Sequence, residues 1–227
     1  MDVTSIITRL ETLSDPSSVK SMKRVGITPV KSFGVRIPDL RALAKEIGKN
    51  HDLALKLWQV DYRETRILAS MIDDLERVDD AQMEHWVDDF TYWEICDQVI
   101  MNLFGRHPIA WKKALEWSKR EKEYTKRAGY VIMARLAVTE KGAPDVKFED
   151  FYHSIVVGAR DERSMVKKAV SWALRQIGKR NRALNLSAIK VAKSILESED
   201  DNALWVAKDV LKELQSQKIQ ERLQSKT

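Results

Sequence analysis

The sequence predicts an all-α fold: a right-handed superhelical solenoid of antiparallel helix pairs with a concave basic groove. Three observations carry that expectation. Apolar residues recur at i, i+3, i+4 and i+7 through almost every segment, with little strict alternation anywhere. Only 8 Gly and 5 Pro interrupt the 227 residues. The second helices of successive pairs also share a local sequence, at intervals in the helical-repeat range.

In chain order, the periodicity predicts helices at Ser5 to Leu13, Pro38 to Ile47, Asp52 to Val60, Arg63 to Asp74, Ala81 to Asp89 and Tyr92 to Phe104. Others follow at Pro108 to Arg120, Glu123 to Val138, Phe148 to Ala159, Arg163 to Gly178, Ala183 to Glu197 and Asn202 to Gln215. Pro38 and Pro108 mark starts, because the first turn has no intrahelical use for the missing N–H. Gly48, Gly105 and Gly178 stand where a helix end favours a residue free to turn left-handed. With 44% hydrophobic residues the chain can bury one continuous core, and a single domain over residues 1–227 is expected.

The repeated second helices read RETRILASMI, WEICDQVIMN, YTKRAGYVIM and SMVKKAVSWAL. Aligning Arg66, Asp97, Arg127 and Lys168 gives intervals of 31, 30 and 41 residues, the last lengthened by the loop TEKGAPDVKF. Stacked pairs of this kind curve, so their inner helices form an extended surface suited to a long ligand. Three of the four aligned positions are basic, which predicts a cationic row interrupted by Asp97. A carboxylate among cations stays ionised, a fixed negative charge and not a proton donor. Satisfying a neighbouring arginine or a backbone donor is the plainer role for Asp97.

Charge is unevenly spread. Residues 52–97 hold 13 Asp/Glu against 4 Lys/Arg, whereas residues 118–193 hold 18 Lys/Arg against 8 Asp/Glu. A basic block of this kind is what a polyanion binder carries, since Lys and Arg displace the counterions condensed on phosphates; a solvated helix surface reads the same way. Lys179 and Arg180, in IGKRNR, look like a phosphate-contacting loop at a helix end. The single Cys96 excludes an internal disulfide, and the four scattered histidines lack ligand spacing, so no metal and no other cofactor is expected. No phosphate-binding Gly loop, GxSxG elbow or HExxH occurs. Asp2, Arg9 and Glu11 fall where a signal peptide needs an apolar run, and no long uncharged apolar stretch exists, so a cytoplasmic protein without membrane contact is expected, and nothing in the sequence suggests more than a monomer.

Trp93 precedes Asp97 by one helical turn, and Trp172 follows Lys168 by one turn, so two indoles and one carboxylate project from equivalent faces of the repeats. Core packing is the usual role of a tryptophan, and Trp58, Trp86, Trp111, Trp117 and Trp205 are assigned to it or to helix interfaces.

At these residues the chain resembles the AlkD-type DNA alkylation repair family, built of HEAT-like helix pairs, from about Met22 to Leu214. The matching segments are FGVRIPDLRALAKEIGK, YWEICDQ, YTKRAGYVIM and VKKAVSWALRQIGKRN. The resemblance implies a DNA glycosylase that hydrolyses the N-glycosidic bond of cationic N3- or N7-alkylated purines in duplex DNA, without a general acid and without base flipping. It implies Asp97, Trp93 and Trp172 as the catalytic cleft and Arg127 as the backbone contact at the lesion, with Lys126 and Lys168 assisting and Arg66, Lys179 and Arg180 on the same DNA. The sequence departs from the family in two places. Residues 14–36 hold no tyrosine where family members carry one facing the cleft, with Val25 or a neighbour in its place, and the loop from Val138 to Phe148 is longer. A HEAT-like scaffold binding DNA or protein without catalysis is the alternative, and a Schiff-base lyase has weaker support.

Overall fold

The computed structural model describes residues 1–225, and they form helices joined by turns, with no strand among them. The chain divides into two compact units, Met1–His107 and Pro108–Thr227. No described helix is long and apolar enough to cross a membrane.

The N-terminal unit contains α1 (Val3–Thr12), α2 (Pro16–Arg24), α3 (Ile37–Ile47), α4 (His51–Trp58), α5 (Arg63–Ile72), α6 (Asp80–Asp88) and α7 (Trp93–Asn102), followed by a 3-10 turn at Phe104–Arg106. Side-chain oxygens of Asp2, Asp15, Asn50 and Asp79 accept first-turn backbone N–H groups and so fix the starts of α1, α2, α4 and α6. Helix α5 packs on α3, α4 and α7. Trp58 of α4 lies flat on Trp86 of α6, with ring centroids 4.0 Å apart, which joins the first helices of two pairs.

A buried ionic cluster joins the second helices. Arg63, Glu64 and Glu94 are 3%, 0% and 6% exposed. Arg63 grips Glu94 with two bonds, Nε to Oε2 at 2.6 Å and Nη2 to Oε1 at 2.7 Å, and its Nη1 donates to Glu64 and to the Val35 carbonyl, both at 2.9 Å. Glu64 in turn accepts the backbone N–H groups of Phe33, Gly34 and Val35. Burial works against the Arg63 charge, but Glu94 and Glu64 outweigh it and hold the guanidinium above its ordinary pKa. Gly34 sits in this turn at φ +80°, where a Cβ would run into the Asp15 carbonyl, so no other residue serves there.

The C-terminal unit contains α8 (Ala110–Trp117), α9 (Glu123–Thr139), α10 (Val146–Glu149), α11 (Tyr152–Gly158), α12 (Ser164–Gly178), α13 (Arg182–Leu196), α14 (Asp201–Leu214) and α15 (Gln217–Gln224). Helices α9, α12 and α14 lie side by side, with α8, α11 and α13 packed against them. Buried Tyr130 donates to the Ser154 carbonyl at 2.9 Å and ties α9 to α11.

Several boundaries differ from the sequence reading. Helix α2 was unexpected because its apolar face is only Val19 and Met22, both half-buried, and α15 was unexpected although Ile219 and Leu223, one turn apart, form its buried face. The segment expected as one helix from Phe148 to Ala159 breaks between α10 and α11. Gly105 lies within the 3-10 turn, and Gly178, without positive φ, is packed against Leu214 and Ala188. Of the three expected helix-ending glycines, Gly48 has the positive φ, 76°. Trp205 is 39% exposed under Lys167, whereas Trp58, Trp86 and Trp117 are buried.

Glu94→Ala strands the Arg63 charge in the core and is expected to lower unfolding free energy by about 3–5 kcal/mol in urea melts. Asp39→Asn, which opens the exposed Arg36–Asp39 pair, should cost less than about 1 kcal/mol. Equal effects would remove the cluster from its structural role.

Candidate functional site

Trp93 and Asp97 open α7. Both are half-exposed, while Glu94, Ile95 and Cys96 between them are buried, so the turn presents an indole and a carboxylate on its open side and anchors itself with the rest. The Trp93 indole N–H donates to the Val25 carbonyl at 2.9 Å. Val25 ends α2, and its side chain is 59% exposed.

Arg66 does not share the position of Asp97. Tyr62 and Glu64 precede Tyr92 and Glu94 by 30 residues, so Asp97 corresponds to buried Ile67, and Arg66 falls one place early. Its guanidinium lies over Trp58 at 5.3 Å and pairs with Asp61 at 3.3 Å and Asp89 at 3.8 Å. The aligned row therefore reads Ile67, Asp97, Arg127, Lys168, with two cations where the sequence suggested three.

In the C-terminal unit, Arg127 is 6% exposed and its Nη1 donates to the Met165 carbonyl at 2.5 Å, tying α9 to α12. Lys126 pairs with Asp161 at 3.2 Å, and Arg163 holds the same carboxylate with Nε at 2.8 Å and Nη2 at 2.5 Å. Burial pushes Asp161 up, but bonds from Arg163 and Lys126 prevail and hold it below the usual carboxylate range. Lys168 is exposed and forms no ion pair with a described residue.

Trp172 is half-exposed one turn beyond Lys168. With the Gln176 amide oriented by its surroundings, the amide oxygen accepts from the Trp172 indole at 2.9 Å and from Lys179 at 3.3 Å. Lys179 also pairs with Glu213 at 2.6 Å, and Arg175 binds the same carboxylate. Arg180 lies over Phe148 at 3.9 Å and donates to the carbonyls of Ala137 and Glu140 at 2.7 and 2.9 Å, so it closes the end of α9.

Among the predicted residues, then, the structure joins Trp93 with Asp97 in one unit and Trp172 with Lys179 in the other. Arg66 and Arg180 serve packing, and Lys126 and Lys179 are salt-bridged. The partners that sequence reading missed are Asp161, Arg163, Gln176, Glu213 and the Val25 carbonyl. Gln176 was accessible, one turn after Trp172; a backbone carbonyl leaves no sequence signal. No group of three or more His, Cys, Asp or Glu among the described residues could hold a metal.

A family model described as DNA alkylation repair enzyme matches residues 6–220. Among solved structures, a member of a new family of proteins related to the HEAT-like repeat DNA glycosylases, with affinity for branched DNA structures, superposes with a TM-score of 0.81 at 20% identity, covering 98% of this chain and 96% of that one. That likeness establishes a HEAT-like fold. An engineered protein (TM-score 0.42, 16% identity, 77% and 90% covered) and a designed armadillo repeat protein (0.37, 14%, 77% and 91%) are too distant to support an argument. No curated protein matches.

The folded state keeps Asp161 ionised below its unfolded pKa near 3.8. The stability it contributes is thus fully present above that value and lost as pH falls through the lower folded value. Asp161→Asn should lower Tm at pH 7 and leave Tm in strong acid nearly unchanged in scanning calorimetry.

Proposed function

The chain belongs to the DNA alkylation repair enzyme family, and from that premise we propose that it is a monofunctional DNA glycosylase acting on cationic N3- or N7-alkylated purines in duplex DNA, as a cytoplasmic monomer. The observation that carries this reading is the first turn of α7, where Trp93 and Asp97 share the open face and the Trp93 indole is anchored through Val25.

A cationic purine is already a good leaving group. When the C1′–N bond breaks, its electron pair neutralises the base, and positive charge develops on the deoxyribose. Asp97, as carboxylate, stabilises that charge and orients the water that adds at C1′ and loses a proton to solvent. Trp93 and Trp172 offer aromatic faces to the lesion nucleotide. Arg127, Lys126 and Lys168 serve the adjacent phosphates, and Lys179 extends the contact. The salt bridges of Lys126 and Lys179 oppose this role, since phosphate must compete with Asp161 and Glu213.

A second reading, a DNA-binding scaffold without catalysis, is favoured by the lack of a tyrosine in residues 14–36, where family members carry one facing the cleft, and by the branched-DNA affinity of the structural relative.

Asp97→Asn should slow release of 7-methylguanine about 100- to 1,000-fold, the scale of one lost charge-stabilising group, while duplex affinity stays within about two-fold. Chromatography of the bases released from methylated duplex DNA measures it. An unchanged rate would remove Asp97 from the reaction.

A further inference from the structure

Lys168, Trp172, Gln176 and Lys179 follow one another along α12 at intervals of four, four and three residues, so they share one face. At ~1.5 Å per residue, Lys179 lies about 10 Å beyond Trp172. There the helix ends in a cleft of about 550 Å³. Four cations line it: Lys141, Lys179, Arg180 and Arg222. The lining carboxylate, Asp145, is occupied by the Asn181 amide at 2.9 and 3.0 Å.

These cations differ in what they have left to offer. Arg180 is pinned by carbonyls, and its buried Nε has no partner among the described residues. Arg222 is exposed and holds the Lys179 carbonyl with one nitrogen at 3.0 Å. Lys141 is exposed and forms no ion pair with a described residue. The cleft thus sets four cations against one lining carboxylate; Lys179 is paired with Glu213 and Arg180 with carbonyls, which leaves exposed Lys141 and Arg222 to receive an anion. A phosphodiester suits it, because its two non-bridging oxygens accept from lysine and arginine together.

We propose that this cleft takes a backbone phosphate of the DNA strand that passes Trp172, about 10 Å along α12 from the tryptophan. The proposal rests on the DNA-binding part of the reading above and deepens it by adding Lys141 and Arg222. The link from Trp172 through Gln176 to Lys179 ties the cleft to the nucleotide-contacting tryptophan.

Fluorescence anisotropy with an undamaged duplex, over a range of salt concentrations, tests it without recourse to catalysis. The double variant Lys141→Ala/Arg222→Ala should bind several-fold more weakly, with a salt slope shallower by about one, the value of one lost phosphate contact. Exposed Lys190, outside the cleft, is the control, and Lys190→Ala should leave the slope unchanged. Thermal melts confirm that both variants fold. An unchanged slope in the double variant, or an equal change in Lys190→Ala, overturns the cleft. Stabilisation of the unaltered protein by inorganic phosphate, lost in the double variant while DNA binding is unaffected, assigns the cleft to free anions and also overturns it. If the unaltered protein binds no duplex, both proposals fail, whereas a null result for Asp97→Asn leaves the cleft standing.

Discussion

The Arg63–Glu64–Glu94 cluster is the constraint on which the N-terminal unit depends. A buried charge is tolerated only when it is paired and its remaining hydrogen bonds are satisfied, and here each of three charges is. Removing the cluster from water forces α5, α7 and the turn at residues 32–35 into one arrangement. That turn carries Phe33, whose carbonyl accepts from Asp15 and Ser14 at 2.8 Å and so places the start of α2. The end of α2 then presents the Val25 carbonyl to Trp93. Orientation of the indole beside Asp97 is thereby traced to a salt bridge one residue away in sequence, at Glu94.

The C-terminal unit solves a different problem. Its basic residues are numerous, and most near the candidate site are held by acids or carbonyls: Lys126 and Arg163 by Asp161, Lys179 and Arg175 by Glu213, Arg180 by the end of α9. Such pairs keep long side chains in place before a polyanion arrives. They also mean that binding exchanges one anionic partner for another, so the gain per phosphate is smaller than the count of cations suggests. Exposed Lys168, Lys141 and Arg222 carry the charge that has no acid to displace.

Fold class was readable because helical periodicity and repeated second helices are long-range signals that survive local error. Three kinds of feature were not. Helix α2 has no buried stripe, so periodicity could not show it. The one-residue slip at Arg66 came from matching cations, whereas the Tyr-x-Glu of successive repeats, Tyr62/Glu64 and Tyr92/Glu94, whose glutamates are buried, is the feature that packing holds in register. Exposure could not be read from charge either: Arg127 stands in the basic block and is 6% exposed. Trp93 and Asp97 were legible because a four-residue spacing fixes a shared face whatever surrounds it.

The chain belongs to the DNA alkylation repair enzyme family, and the first turn of α7 is where the proposed reaction is assigned. A reaction driven by stabilising charge on the sugar, with no acid to protonate the base, requires a base that is already cationic. The most direct measurement offers the purified protein two duplexes, one carrying a cationic N7-methylpurine and one a neutral alkylated purine, and follows the free bases by chromatography. Release of the cationic base and retention of the neutral one is the expected result. Release of neither, from protein that binds a four-way junction, would contradict the glycosylase assignment.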